Sequence, residues 1–134
     1  MKKFDTYINE KLKLDDISKL IKWVDAKSVS YDNLQEGCVV QLKNGMRFVV
    51  VSQELASQCM DFLTVYKSDE YILFRKKGLF NAEYGYMRLV HYKDKFPKYK
   101  YNDHEWDIEK VYLRKKNFAN KLELENYLLK IEVL

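Results

Sequence analysis

The side chains best suited to nucleophilic catalysis or metal binding in this chain are two cysteines and two histidines, Cys38, Cys59, His91 and His104. Their donor atoms suit tetrahedral zinc. However, all four stand alone in the sequence, whereas structural zinc sites usually take their ligands in closely spaced pairs. We therefore expect buried thiols and surface histidines, with no metal and no other cofactor.

Other catalytic motifs are also missing from the sequence. A thiol nucleophile needs a base beside it, and an arbitrary cysteine–histidine pair in a small domain is more often structural than catalytic. The chain has neither a glycine-rich phosphate loop nor a GxSxG nucleophile elbow. Four acidic residues alternate over positions 103–109, a pattern that suits a solvated edge strand better than a two-metal nuclease. We predict that the protein is not an enzyme.

Basic and aromatic residues are interleaved in the segment 92–101, which holds four lysines and four aromatic rings. Two basic triplets, 75–77 and 114–116, follow predicted strands. Lysines neutralise phosphates while exposed rings stack on bases, but the same mixture can bind an acidic protein surface. A third interpretation packs the rings on the core and leaves the lysines in water. The predicted partner-binding residues are Arg75, Lys76, Lys77, Lys93, Lys95, Lys98, Tyr99, Lys100, Tyr101, Trp106, Arg114 and Lys115.

Length and composition limit the class of protein. The chain has 134 residues, 47% of them apolar, which predicts one folded domain, residues 1–134. Its 24 basic and 20 acidic side chains leave a net charge of +4, which tolerates an anionic partner without proving one. The sequence shows no disulfide framework, no apolar signal region and no run of the ~20 apolar residues that a membrane helix needs. We expect a cytoplasmic monomer or small homo-oligomer with no membrane partner.

An α+β fold is predicted from the elements that must position these side chains. Residues 1–27 carry apolar side chains at helical spacing and indicate an N-terminal helical segment. Residues 36–116 are rich in β-branched and aromatic runs and indicate a β-rich core. Residues 118–131 indicate a C-terminal helix, in which Asn120 and Glu123 match a capping box. Alternating leucines and glutamates at the start of that helix would fit a strand as well.

Within the β-rich core, the clearest signal is a hairpin. Asn44 and Gly45 separate the apolar runs 38–42 and 46–51, and both tolerate the positive φ of a two-residue type I′ turn. Several short strands between polar turns predict a small curled antiparallel sheet or an SH3-like barrel. The further predicted strands are 62–66, 71–74, 87–92 and 107–113.

Two segments carry a resemblance to a known group of proteins. The run from Gly37 to Val50, GCVVQLKNGMRFVV, resembles a hairpin common in small accessory proteins of phages and prophages from Gram-positive bacteria. The run from Trp106 to Tyr112, WDIEKVY, resembles the segment that often closes those domains. Such proteins include anti-CRISPR and other anti-defence inhibitors, which are mostly non-enzymatic and act by occupying a host protein.

The resemblance implies a phage-derived inhibitor in the host bacterial cytoplasm, bound to the nucleic-acid channel or a docking site of a defence nuclease such as Cas9. It implies no particular binding residue. Two alternatives remain open at this point. One is a nucleic-acid-binding module that uses the segment 92–101. The other is an anti-defence protein that sequesters a signalling nucleotide between protomers, with Arg75, Arg88 and Arg114 clamping the phosphates.

Overall fold

The computed structural model of the protein describes residues 21–60, 70–78 and 83–134. In this part of the chain, six antiparallel strands form one sheet and two α-helices pack on it, which confirms the α+β class. The elements are β1 (Val24–Asp25), β2 (Val39–Leu42), β3 (Arg47–Ser52), α1 (Gln53–Cys59), β4 (Tyr71–Lys76), β5 (Tyr84–Arg88), β6 (Ile108–Tyr112) and α2 (Lys121–Glu132).

The sheet is open, so the prediction of a curled sheet or an SH3-like barrel was wrong. Its strand order is β1-β6-β2-β3-β4-β5, and the terminal strands β1 and β5 do not pair with each other. A barrel closes when its first and last strands pair, which lets one sheet enclose its own core. Here separate layers cover the sheet instead, so a core forms on each face without closure.

Alternate residues of β3 face two different cores. Val49 and Val51 lie in the core under α1 and α2, which we call the helix-side core. Phe48 and Val50 lie in a second core on the opposite face, which we call the loop-side core because loops and 3₁₀ helices cover it. A sheet that is covered on both faces has continuous apolar strands rather than alternating ones. This explains the unbroken apolar run through β3.

The predicted hairpin is confirmed as β2 and β3, but its turn has three residues rather than two. The Gly45 N–H donates to the Leu42 carbonyl at 2.9 Å, and the Leu42 N–H donates to the Met46 carbonyl at 2.9 Å. Gly45 carries the positive φ of +91° that ends such a turn. The side-chain oxygen of Asn44 accepts from the Met46 N–H at 2.9 Å, which stabilises this longer form.

Asn120 caps helix α2 as the sequence predicts, but the helix begins at Lys121, and Glu123 returns its bond to Ala119 rather than to Asn120. The Asn120 side chain accepts the Glu123 N–H at 2.9 Å, and the Glu123 carboxylate accepts the Ala119 N–H at 3.3 Å. This reciprocal cap favours the helix over the strand that the same residues would also fit. The buried face of α2 packs on the helix-side core through side chains at helical spacing: Leu124, Tyr127, Leu128 and Ile131.

Three other predicted elements differ from the structure or lie outside it. Residues 1–20 and the strand predicted at 62–66 lie outside the described residues, while Val24, predicted to be helical, belongs to β1. The strand predicted at 87–92 is shifted: β5 ends at Arg88, and a 3₁₀ helix follows over Leu89–Tyr92. That 3₁₀ helix turns two side chains into the loop-side core, which ends the pairing with β4. The strands predicted at 71–74 and 107–113 are confirmed as β4 and β6.

Candidate binding surface

The segment that follows β5 is fastened to the sheet by its backbone. We call residues 93–101 the lysine loop. The Lys100 N–H donates to the His91 carbonyl at 2.9 Å, and the Lys98 N–H donates to the Lys95 carbonyl at 2.7 Å. The Pro97 carbonyl accepts the Ile108 N–H at 2.9 Å, which ties the loop to the first residue of β6. The loop is therefore held at several points along its length.

The carboxylate of Asp107 is the main side-chain anchor of this loop. Asp107 is only 5% exposed, and one of its oxygens accepts the Tyr99 N–H at 2.8 Å. Its other oxygen lies 3.8 Å from the Lys43 ammonium and 3.6 Å from Nδ1 of His104. A carboxylate this deeply buried requires such donors to offset the loss of water. Asp107 thereby connects the loop to the turn between β2 and β3.

The aromatic rings of this region pack on one another around Tyr99. Its ring centroid lies 5.5 Å from those of Tyr92 and Tyr101 and 6.1 Å from those of His91 and Trp106. Burial raises the pKa of the Tyr92 and Tyr99 hydroxyls, so both stay protonated at neutral pH. The Tyr92 hydroxyl donates to the Trp106 carbonyl at 2.6 Å. These rings support the loop from beneath.

The outer side of the lysine loop is positively charged. Lys93, Lys95, Lys98 and Lys100 are all exposed, and none of them makes an ion pair with another residue that the structure describes. The loop contains one acidic residue, Asp94, which leaves four positive charges against one negative charge. Tyr101 is 56% exposed, and the Lys100 ammonium lies 5.6 Å from its ring centroid. Four ammonium groups and one accessible ring thus share a supported surface.

The other predicted binding residues do not join this surface as one patch. Arg75, Lys76 and Lys77 lie at the end of the sheet where β4 finishes, and Arg114 and Lys115 follow β6 at the opposite end. The Arg75 guanidinium is bound to the Glu132 carboxylate. The Lys76 ammonium lies 5.1 Å from the Tyr84 ring, and the Arg114 guanidinium 5.7 Å from the Tyr127 ring. The half-buried Trp106 packs against the loop-side core.

The positions of Arg75, Arg88 and Arg114 bear on the alternative in which these three arginines clamp the phosphates of a nucleotide. Within one chain, Arg75 lies on β4 and Arg114 follows β6, with β2 and β3 between those two strands, and the Arg75 guanidinium is bound to the Glu132 carboxylate. Arg88 donates to the Glu70 carboxylate at 2.8 Å. Two of the three arginines of this alternative are therefore each bound to a carboxylate of the same chain.

The candidate metal ligands are dispersed by the fold. Cys38 lies in the loop-side core, while Cys59 packs against the helix-side core on the other face of the sheet. Burial, followed by the nearby Glu125 carboxylate, raises the pKa of the Cys59 thiol to about 11, so it is not ionised at neutral pH. His91 packs among tyrosines and His104 is exposed. The described residues contain no group of three His, Cys, Asp or Glu side chains placed to hold a metal ion.

One feature of the surface was missed by sequence reasoning. A cleft of about 350 Å³ opens where β4 begins and β5 ends, beside the start of the lysine loop. Part of its wall comes from residues 31–35, which lie between the predicted N-terminal helical segment and the predicted β-rich core. The contributing segments are far apart in the chain, so no local motif marks the site. The described residues that line it are Tyr31, Asp32, Leu34, Gln35, Glu70, Tyr71, Leu89, Val90 and Lys93.

Comparison with protein-family models, curated proteins and solved structures found no match to this chain. Within the described ranges, no helix has the length and apolar character needed to cross a membrane.

Proposed function

We propose that the protein is a non-enzymatic binding protein that docks on an acidic surface of a protein partner through the lysine loop. The observation that carries this proposal is the way in which the loop is supported. Its backbone is bonded to the sheet and to Asp107, while its four lysine side chains are exposed to solvent. A loop that is already ordered loses less conformational entropy on binding than a flexible one.

The packing of the aromatic rings favours a protein partner over a nucleic-acid strand. Binding of single strands relies on bases stacking on exposed rings. In segment 92–101, Tyr92 is fully buried and both Phe96 and Tyr99 are half-buried against the loop-side core. Only Tyr101 of these rings is mostly exposed. One tyrosine anchor within a rim of lysines matches the usual composition of a protein–protein contact.

The charge of the loop also restricts where a defence nuclease could be bound. The resemblance to anti-defence inhibitors supports a nuclease such as Cas9 as the partner. A channel that holds nucleic acid is itself lined by basic side chains, so it would repel four exposed lysines. We therefore propose that the contact lies on an acidic docking site outside the channel, and that inhibition acts on assembly or on a conformational step.

A direct binding assay with purified Cas9, free and guide-bound, tests this proposal. The variant Lys95→Ala/Lys98→Ala/Lys100→Ala removes three charges from the loop, and we expect it to weaken binding by at least about tenfold. The matched control removes three exposed lysines elsewhere, Lys22, Lys27 and Lys110. We expect the control to bind as the wild type does and to inhibit DNA cleavage equally. Equal losses in both variants, or no binding by the wild type, would contradict the proposal.

The second candidate function, nucleic-acid binding, is tested in the same series. A fluorescent single-stranded DNA is titrated with wild type and both triple variants at several salt concentrations. Tight binding that falls steeply with salt and is lost only in the loop variant would assign the lysines to phosphates. We expect weak binding, because the supporting rings are not available for stacking.

A further inference from the structure

The cleft beside the lysine loop lies between two 3₁₀ helices, Tyr31–Asn33 and Leu89–Tyr92. Its volume of about 350 Å³ lies within the ~300–1,000 Å³ range typical of small-molecule sites. Leu34 and Leu89 are each 3% exposed and offer a ligand almost no surface, so the apolar wall that a ligand can reach is formed by the half-buried side chains of Tyr31, Tyr71 and Val90. An apolar wall of this kind accommodates the hydrocarbon part of a ligand.

One carboxylate of the cleft is bound by protein donors on both of its oxygens. Glu70 accepts the Arg88 guanidinium at 2.8 Å on one oxygen and the Gln53 amide at 3.0 Å on the other. Gln53 is fully buried, so this network is fixed from within the fold. The network stabilises the wall of the cleft, and the Arg88 guanidinium offsets the negative charge of Glu70.

Two opposite charges of the cleft are available to a ligand. Asp32 and Lys93 both line the cleft and are exposed. Neither side chain makes an ion pair or a hydrogen bond with another residue in the described ranges. The Asp32 carboxylate can accept hydrogen bonds from an ammonium group, and the Lys93 ammonium can donate to a carboxylate. A ligand that carries both groups would satisfy both side chains.

We propose that this cleft binds a zwitterionic small molecule, namely a free α-amino acid with an apolar side chain. The ligand ammonium binds Asp32, its carboxylate binds Lys93, and its side chain contacts the apolar wall. Tyr31 and Tyr71 add ring surface and hydroxyl groups beside these charges. This inference goes beyond the proposed docking function and does not depend on it.

Tyr31 supports this assignment through its protonation state. Burial raises the pKa of its hydroxyl, and the Glu70 and Asp32 carboxylates raise it further. The hydroxyl therefore stays protonated at neutral pH and can donate to a carboxylate as well as accept from an ammonium. Tyr31 and both carboxylates line the same cleft.

Isothermal titration of the full chain with L-phenylalanine tests the proposal, with two matched analogues that each lack one charge. 3-Phenylpropanoate lacks the ammonium group, and 2-phenylethylamine lacks the carboxylate. We expect saturable binding of L-phenylalanine and at least about tenfold weaker binding of either analogue, because each loses one charge-assisted hydrogen bond. Glycine tests the apolar wall and should also bind more weakly.

Variants then assign each charge to a residue. Asp32→Asn should weaken binding of L-phenylalanine by about tenfold and leave binding of 3-phenylpropanoate unchanged, because that analogue has no ammonium group. Lys93→Met should weaken binding of L-phenylalanine by about tenfold and leave binding of 2-phenylethylamine unchanged, because that analogue has no carboxylate. Glu109→Gln and Lys110→Met, two exposed residues of β6, serve as controls that should not alter binding. The proposal is overturned by absence of saturable L-phenylalanine binding, by equal affinity for the analogues, or by equal effects of cleft and control variants.

Discussion

At the scale of single residues, the buried carboxylate of Asp107 connects the lysine loop to the rest of the fold. It accepts the Tyr99 N–H and lies 3.8 Å from the Lys43 ammonium on the hairpin turn and 3.6 Å from Nδ1 of His104. Its role could not be predicted from the sequence, where it was one member of an alternating acidic run. Burial distinguishes Asp107 from the exposed acids beside it, and burial depends on contacts across the fold.

The substitution Asp107→Ala should lower the free energy of unfolding by about 1–3 kcal/mol, because it leaves the Tyr99 N–H without its acceptor in a partly buried position. Urea unfolding followed by tyrosine and tryptophan fluorescence measures this loss. Asp94→Ala removes an exposed carboxylate from the same loop and should change stability by less than about 0.5 kcal/mol. A similar loss in both variants would show that Asp107 does not anchor the loop.

His91 makes the free energy of unfolding depend on pH. Burial lowers the pKa of His91 below the ordinary value of 6.5, and repulsion from Arg88 and Lys100 lowers it further, while Glu70 opposes the shift. Its Nδ1 atom has no hydrogen-bond partner in the described part of the chain. The folded protein therefore binds a proton at this site less readily than the unfolded chain does.

The stability associated with His91 should be complete above pH 6.5 and should decline as the pH falls from 6.5 through the lower pKa of the folded state. His91→Gln removes the titrating group, so its stability should lack this part of the acid dependence. The measurement is the difference in free energy of unfolding between wild type and variant from pH 8 to pH 5. A difference that stays constant over that range would contradict the assignment.

At the scale of elements, two glycines show how a turn and a close contact impose different demands. Gly37 and Gly45 both have positive φ, +97° and +91°. A Cβ on Gly37 would lie 2.5 Å from the Lys116 nitrogen, whereas a Cβ on Gly45 would meet nothing within 4 Å. Glycine is therefore required at position 37 for two reasons: the backbone has a positive φ, and a Cβ would clash with Lys116.

Gly45→Ala should destabilise the protein by about 1–2 kcal/mol, the cost of placing an L side chain at positive φ. Gly37→Ala should cost more, because the backbone after β6 must also move away from the new Cβ. Guanidinium unfolding of the two variants gives the comparison directly. Equal losses would show that the contact between Gly37 and Lys116 relaxes freely.

The sequence predicted those elements that are determined by residues close to one another in the chain. The hairpin around Gly45 and the cap at Asn120 each involve side chains within a few positions of one another. The end of β5 was misplaced because Leu89 and Tyr92 leave the sheet to fill the loop-side core, which is a long-range effect. The open sheet was missed for the same reason, since local patterns do not show which strands become neighbours.

At the scale of the whole molecule, the predicted binding residues separate into distinct regions. The lysine loop stands out in the sequence as a basic and aromatic segment, but the packing of its rings depends on the loop-side core. The triplets at 75–77 and 114–116 lie at opposite ends of the sheet, although composition alone grouped them with the loop. The cleft was not predicted, because its walls come from three distant parts of the chain.

The covering of the sheet on both faces has a consequence for strand alignment. In a sheet with one wet face, a shift by one residue moves apolar side chains into water, which penalises the error strongly. In β3 such a shift would move Phe48 and Val50 into the helix-side core and Val49 and Val51 into the loop-side core, so all four side chains would stay buried. Hydrophobicity therefore discriminates poorly between the correct and the slipped alignment. The discrimination must come from side-chain shape and from Gly45, whose position defines the length of the connection to β2.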